Sequence, residues 1–188
     1  MMPASDGGPP LQKLREIEKP DLPQVLRLNN AAVPAVNQLE LPALEELLEQ
    51  AEVAIAVAAG ASIKGFLLAF GPGAPYRSPN YRWFGARYQD FLYIDRIVVS
   101  PAARGGGIGR QLYRATFAEA QARPLACEVN LRPPNEHSLL FHQSLGFQQV
   151  GEESLPDGKV VAMLATRPLE SDLCSRSPST GTTAAAAH

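Results

Sequence analysis

Cysteine is scarce in this chain of 188 residues: there are two, Cys127 inside an apolar run and Cys174 in a Ser-rich stretch. They form no CxxC pair and no framework of the kind that staples small secreted domains. Histidine is also sparse, with three residues: His137 and His142 five positions apart, and His188 last. No His/Cys spacing suits a zinc site, so no metal is expected. Apolar runs fall far short of the roughly 20 residues that cross a bilayer. The first ten residues are polar and rich in Gly and Pro, without the basic start and apolar stretch of a secretion signal. These absences point to a reduced, cytoplasmic location. Lys and Arg number 17 against 19 Asp and Glu, a formal charge of -2, so no nucleic-acid or membrane partner is expected. No internal repeat is visible.

What is present suits one packed domain. Hydrophobic residues make up 45% and charged residues 19%, the balance of a globular chain rather than a disordered one. The domain is expected over 11–169, with a flexible N-terminus at 1–10 and a disordered Ser/Thr/Ala-rich tail at 170–188. Residues 11–17 alternate as a strand, and Asp21, read as an N-cap, opens a helix through Pro23 to about residue 30. Residues 41–51 place Leu44, Leu47 and Leu48 on one helical face. Strands at 53–58 and 63–70 flank a turn at Gly60, and 91–99 is a β-branched, aromatic strand. A helix follows to residue 123, stopped by Pro124. A strand at 125–131, a helix at 136–145 ended by Gly146, and strands at 147–150 and 160–164 complete the chain. The order β-α-α-β-β-β-α-β-α-β-β predicts an α/β (α+β) fold, a mixed sheet with helices on its faces.

Between the strand at 91–99 and the next helix stands Arg104-Gly105-Gly106-Gly107-Ile108-Gly109, followed by Arg110. A strand, a glycine loop and a helix start make an anion site, because glycine admits phosphate to the main chain and the helix dipole favours negative charge. A Walker loop requires Lys-Ser/Thr where this chain has Arg110-Gln111, and a dinucleotide fingerprint requires GxGxxG opening a first βαβ unit. Both fit poorly. The bland alternative is a glycine-rich turn without a ligand.

The loop resembles the Arg/Gln-x-x-Gly-x-Gly/Ala motif of the GNAT superfamily of acyl-CoA-dependent N-acyltransferases. A second motif of that family, Asn before an apolar helix closed by Gly-Phe, is matched by Asn135, Ser138-Leu139-Leu140-Phe141 and Gly146-Phe147. The segments Leu28-Asn29-Asn30, Ser78-Pro79-Asn80-Tyr81-Arg82-Trp83-Phe84 and Tyr93-Ile94-Asp95-Arg96-Ile97-Val98-Val99 further resemble a subgroup of acetyltransferases without a firm substrate. The resemblance implies a mostly antiparallel central sheet and acetyl-CoA as donor. It implies that Arg104, Gly105, Gly106, Gly107, Ile108, Gly109 and Arg110 hold the CoA pyrophosphate. Ile97, Val98 and Val99 would line the pantetheine arm, with Asn135 and Phe141 beside it, and a main-chain amide would polarise the acyl carbonyl.

Attack on the thioester needs a neutral amine, hence a base. Asp95 stands where many members of the family carry a carboxylate. Strand alternation puts Tyr93, Asp95, Ile97 and Val99 on one face, with a salt bridge to Arg82 or Arg87 as the structural alternative for Asp95. His142 occupies the position of a family tyrosine that protonates the departing thiolate, and histidine titrates in the right range; packing is its alternative role. The aromatic connector 71–90 suggests an acceptor pocket formed by Tyr81, Arg82, Trp83 and Phe84, with Asn29 and Asn30 facing it, or else a homodimer contact. The acceptor is expected to be the primary amine of a small molecule, amino acid or peptide, and Arg77, Arg82 and Arg87 would pair with a substrate carboxylate. A non-catalytic acyl-CoA sensor is the competing reading.

Overall fold

The computed structural model describes residues 12–167. The expected flexible N-terminus and the tail, with Cys174 and His188, lie outside the described residues. The elements are β1 (Gln12–Glu16), α1 (Leu22–Ala31), α2 (Leu41–Gln50), β2 (Val53–Ala59), β3 (Ser62–Phe70), α3 (Pro79–Gly85), β4 (Leu92–Val99), α4 (Ile108–Ala120), β5 (Leu125–Arg132), α5 (Glu136–Gln143), β6 (Gln148–Ser154) and β7 (Val160–Ala165). Seven strands form one sheet in the order β1-β2-β3-β4-β5-β7-β6. Every neighbouring pair is antiparallel except β4 and β5. None of the described helices is long and apolar enough to cross a membrane.

Strand alternation divides the core into two apolar clusters. Leu22, Val25, Leu44, Leu47, Tyr81 and Phe84 cover one face of the sheet from α1, α2 and α3, against Phe66, Phe70 and Tyr93. On the other face Ile108, Leu112 and Tyr113 of α4 pack on Val57, Leu67, Leu92 and Leu125. A two-residue turn joins Ala59 to its partner Ser62 in the β2–β3 hairpin, with Gly60 at φ +59 as such turns require. Asp21 stands at the N-cap position of α1 as expected, but its side chain makes no capping bond. Its carboxylate grips the Arg15 guanidinium at 2.5 and 2.8 Å and accepts from the Glu18 N–H, tying β1 to the helix start.

The connector 71–90 is not a plain loop. Ser78 caps α3 by accepting from the Tyr81 N–H, and Pro79 occupies the first turn, where a missing N–H costs nothing. Seven residues are too few for apolar periodicity to register. The Tyr81 hydroxyl donates to the Gly71 carbonyl and accepts from the Ala74 N–H, holding the preceding loop to the helix. Trp83 donates to Glu153 at 2.6 Å and packs against Gly151, while Arg87 stacks over its ring at 3.9 Å.

That last contact makes a test. A Cβ at residue 151 would stand 2.5 Å from Trp83 Cζ2, and the indole, wedged beside Phe84 and Tyr88, has little room to yield. Gly151→Ala is expected to destabilise the fold by about 1–3 kcal/mol in urea unfolding; an unchanged midpoint would show that α3 is loosely held.

Candidate active site

The parallel strands β4 and β5 pair only at Leu92 with Leu125 and Tyr93 with Ala126. Beyond those residues they diverge, and a cleft of about 670 Å³ opens between Ile94–Val99 and Cys127–Asn130. Main-chain groups on the facing edges are thereby left for a ligand to pair, since buried peptide groups without partners are costly.

One end of the cleft is the glycine loop. Gly107, at φ +77, is the N-cap of α4 and offers no capping side chain, so the first-turn N–H groups point outward unclaimed. Gly65 brings this helix down onto the sheet: a Cβ there would meet the Val98 carbonyl at 2.9 Å and Ile108 Cγ2 at 3.0 Å. Phe141 seals the other side by packing on Gly109, where a Cβ would stand 3.0 Å from its ring. Ile97, Val98, Val99, Arg104, Gly105, Gly107, Ile108, Gly109, Arg110, Asn135 and Phe141 all border this one cleft, and Gly106 lies within the turn. Asn135 caps α5 through the Ser138 N–H, and Arg110 donates to Ser144. A bare helix start, left-handed glycines and flanking guanidiniums fit a pyrophosphate.

The expected alternation of β4 breaks after Asp95. The register of β4 against β3 runs from Arg96 opposite Leu68 to Ile94 opposite Ala69, leaving Asp95 as an extra residue in a bulge. Tyr93 and Val98 consequently face α1–α3 while Ile97 and Val99 face α4. The salt-bridge partner of Asp95 is neither Arg82 nor Arg87 but its neighbour: Arg96 Nε donates to Asp95 Oδ2 at 2.5 Å, and the Tyr76 hydroxyl donates to Oδ1.

Across the cleft stands a carboxylate that the pattern of residues 125–131 hid. Glu128 is the single charge within Leu125-Ala126-Cys127-Glu128-Val129. Its Oε2 accepts from the Tyr93 hydroxyl at 2.6 Å. Burial pushes its carboxyl up to about 7, Asp95 adds repulsion, and the hydrogen bonds from Tyr93 and the Asn80 amide pull the other way.

His142 is buried against Phe141 and Phe147. Its Nδ1 lies 2.7 Å from the Ser138 carbonyl, which only accepts, so Nδ1 carries the hydrogen and Nε2 accepts from the Tyr113 hydroxyl at 2.5 Å. Burial holds its pKa below the usual histidine range, favouring this neutral form.

The residues expected to contact the acceptor divide. Tyr81 and Phe84 are core residues, Trp83 is committed to Gly151 and Glu153, and Arg82 is exposed; none of the four borders the cleft. Asn29 and Asn30 do approach its far end, but their side chains bond to the protein: Asn29 to Arg96 and Asn37, Asn30 to Leu39. Ala32, Ala35 and Val36 form the wall there instead.

Glu128 ties stability to pH. Its folded pKa of about 7 lies above the ordinary 4.5, so between those values the folded state binds the extra proton and stability falls as pH rises. Glu128→Gln removes that loss. Relative to wild type it is expected to gain stability between pH 4.5 and 8, by about 3 kcal/mol. Urea midpoints at both pH values measure this, and the paired comparison cancels the opposite titration of His142. A pH-independent difference would mean that Glu128 titrates normally.

Residues 11–147 match the family model described as the acetyltransferase (GNAT) family. No curated protein matches the sequence. Similar solved structures include an N-acetyltransferase from Staphylococcus aureus Mu50, at 23% identity over 82% of this chain and 97% of that one, with a TM-score of 0.63. The ribosomal-protein-S18-alanine N-acetyltransferase from Escherichia coli is 16% identical over 82% and 92%, with a TM-score of 0.61. Chaetomium thermophilum Naa20, in complex with a bisubstrate analogue, is 20% identical over 81% and 85%, with a TM-score of 0.63. At these identities the structures establish the shared fold. Together with a family match over most of the described residues, the glycine loop at the mouth of the β4–β5 cleft identifies this chain as a member of the GNAT family of acyl-CoA acetyltransferases.

Proposed function

We propose that the protein transfers an acetyl group from acetyl-CoA to the primary amine of a peptide or of a small molecule with no carboxylate beside that amine, and that Glu128 is the general base. The observation that carries this reading is Glu128 itself: a carboxyl that borders the cleft across from Asp95, with burial lifting its pKa to about 7. A base serves best when its pKa lies near the working pH.

Acetyl-CoA supplies the thioester when bound. Residues 104–110 hold its pyrophosphate, and the unpaired edge of β4 at Ile97, Val98 and Val99 takes its arm, with one amide polarising the acyl carbonyl. The amine approaches from the side walled by Ala32, Ala35 and Val36, and Glu128 takes its proton. Asp95 is the poorer base, because both its oxygens already accept hydrogen bonds. No proton needs to pass through His142: a thiol with a pKa of about 8.5 is a competent leaving group as the thiolate.

The acceptor class rests on charge. Asp95 and Glu128 flank the acceptor end, Arg96 there is committed to Asp95, Asn29 and Asn37, and Arg82 and Arg87 lie outside the cleft. A free amino acid would set its carboxylate against the two acids. The Escherichia coli relative acts on ribosomal protein S18 alanine, and Naa20 was crystallised with a bisubstrate analogue, which agrees with a peptide acceptor.

Thiol release over amino acids, their amides and peptide amides tests the reading. Amides are expected to outrun the free acids. Glu128→Gln should lower kcat by about 100-fold or more while CoA still binds. In wild type, kcat/KM should rise with pH through about 7. Tyr93→Phe, which removes a bond to the ionised carboxylate, should move that limb upward; the acceptor's own titration is common to both enzymes. A Glu128→Gln rate within a few-fold of wild type would overturn the base assignment. Absence of any turnover would favour an acyl-CoA sensor.

A further inference from the structure

Three segments that resemble one subgroup, or crowd the connector, meet at a single point. Arg96, 4% exposed, reaches out of the β4 bulge with its guanidinium spread over three acceptors. Nε donates to Asp95, Nη1 to Asn29 Oδ1 at 2.8 Å and Nη2 to Asn37 Oδ1 at 3.1 Å. Tyr76, stacked on Phe70 at 4.2 Å, holds the far side of Asp95. Asn29 donates to the Asn37 carbonyl at 2.9 Å and to Asn30 Oδ1 at 3.0 Å. Asn30 closes the set by donating to the Leu39 carbonyl and accepting from the Leu39 N–H, each at 2.9 Å.

These bonds secure the segment between α1 and α2, residues 32–40. It has no strand ladder, and within it the backbone makes only short turn bonds, such as Ala35 N–H to the Ala32 carbonyl. Its order therefore depends on side chains, against a conformational entropy cost of about 1–2 kcal/mol for each residue fixed. Yet Ala32, Ala35 and Val36 of this same segment wall the acceptor end of the cleft. The glycine loop and the CoA side lie on other elements.

We propose that Arg96 is a positioning residue for the acceptor: through Asn29 and Asn37 it holds the 32–40 segment in place, so that the acceptor meets a preformed wall. This rests on the transferase reading above. Arginine is required because a planar fork serves three acceptors at once, whereas a lysine ammonium at the end of a flexible stem keeps only the charge for Asp95.

Arg96→Lys and Asn37→Ala test it, with an alanyl hexapeptide amide as acceptor and CoA binding measured by calorimetry. Asn37 is exposed, so its variant keeps the fold if Arg96→Lys does not. Arg96→Lys is expected to raise KM for the peptide by about tenfold and Asn37→Ala by about threefold, each with the Kd for CoA unchanged. Hydrogen exchange at the Leu39 amide should quicken in both variants. Equal losses of peptide and CoA affinity would overturn the proposal, as a general loosening of the fold. Quicker exchange at Leu39 with an unchanged peptide KM would overturn it too, since the segment would then be held without serving the acceptor. If wild type bound no CoA, the transferase reading would fall by itself; unaltered Leu39 exchange in both variants would sink the clamp alone.

Discussion

The cleft exists because two parallel neighbours in the middle of the sheet stop pairing after two residues each, at Leu92–Leu125 and Tyr93–Ala126. A central sheet edge left open inside a protein is costly, and other features of the fold help make this opening usable. Gly65 has no side chain, so the start of α4 can settle onto the sheet beside the opening. Gly107 leaves that helix uncapped, and its N–H groups face the cleft. The bulge at Asp95 lies on the same strand just past the last pair and shifts which side chains face which way. An extended ligand arm with a phosphate at one end complements such a gap, replacing the missing strand and the missing cap together.

Two carboxylates lie on the diverging strands, and their surroundings divide the work between them. Asp95 is matched by a guanidinium and a phenol hydroxyl. Glu128 has the Tyr93 hydroxyl and Asn80 amide beside it, and burial outweighs them. The first becomes part of the scaffold, the second a group that exchanges a proton near neutral pH. Pairs of acids set apart in this way are a recurring device in enzymes that run proton transfer at pH 7.

The parts of this site that the sequence revealed are those whose chemistry is local. A glycine loop acts through its own main chain, so Arg104-Gly105-Gly106-Gly107-Ile108-Gly109 carried its meaning in six consecutive residues, and the strand and helix on either side followed from periodicity. Glu128 is hidden in the sequence because its pKa is set first by burial and then by Tyr93, Asp95 and Asn80, all of which the fold supplies from distant parts of the chain. Alternation within β4 puts Ile97 and Val99 on the face of Tyr93, because the bulge at Asp95 is a property of register against β3, which alternation cannot report. The aromatics of 71–90 looked like a pocket wall because a seven-residue helix leaves no periodic trace; folded, Tyr81 and Phe84 complete the core and Trp83 caps Gly151. Position alone suggests an acid role for His142, whereas its tautomer is decided by the Ser138 carbonyl one helical turn away.

A crystal structure with a bisubstrate analogue, CoA joined through an acetyl bridge to the amine of an alanyl peptide amide, would place the cofactor arm and the acceptor nitrogen against the two acids at once. The arm is expected to pair along Val98 and Val99, with the pyrophosphate on residues 104–110 and the bridging nitrogen within about 3 Å of Glu128 or one water away. A nitrogen lodged against Asp95 with Arg96 displaced, or an arm that bypasses the gap between β4 and β5, would contradict this arrangement.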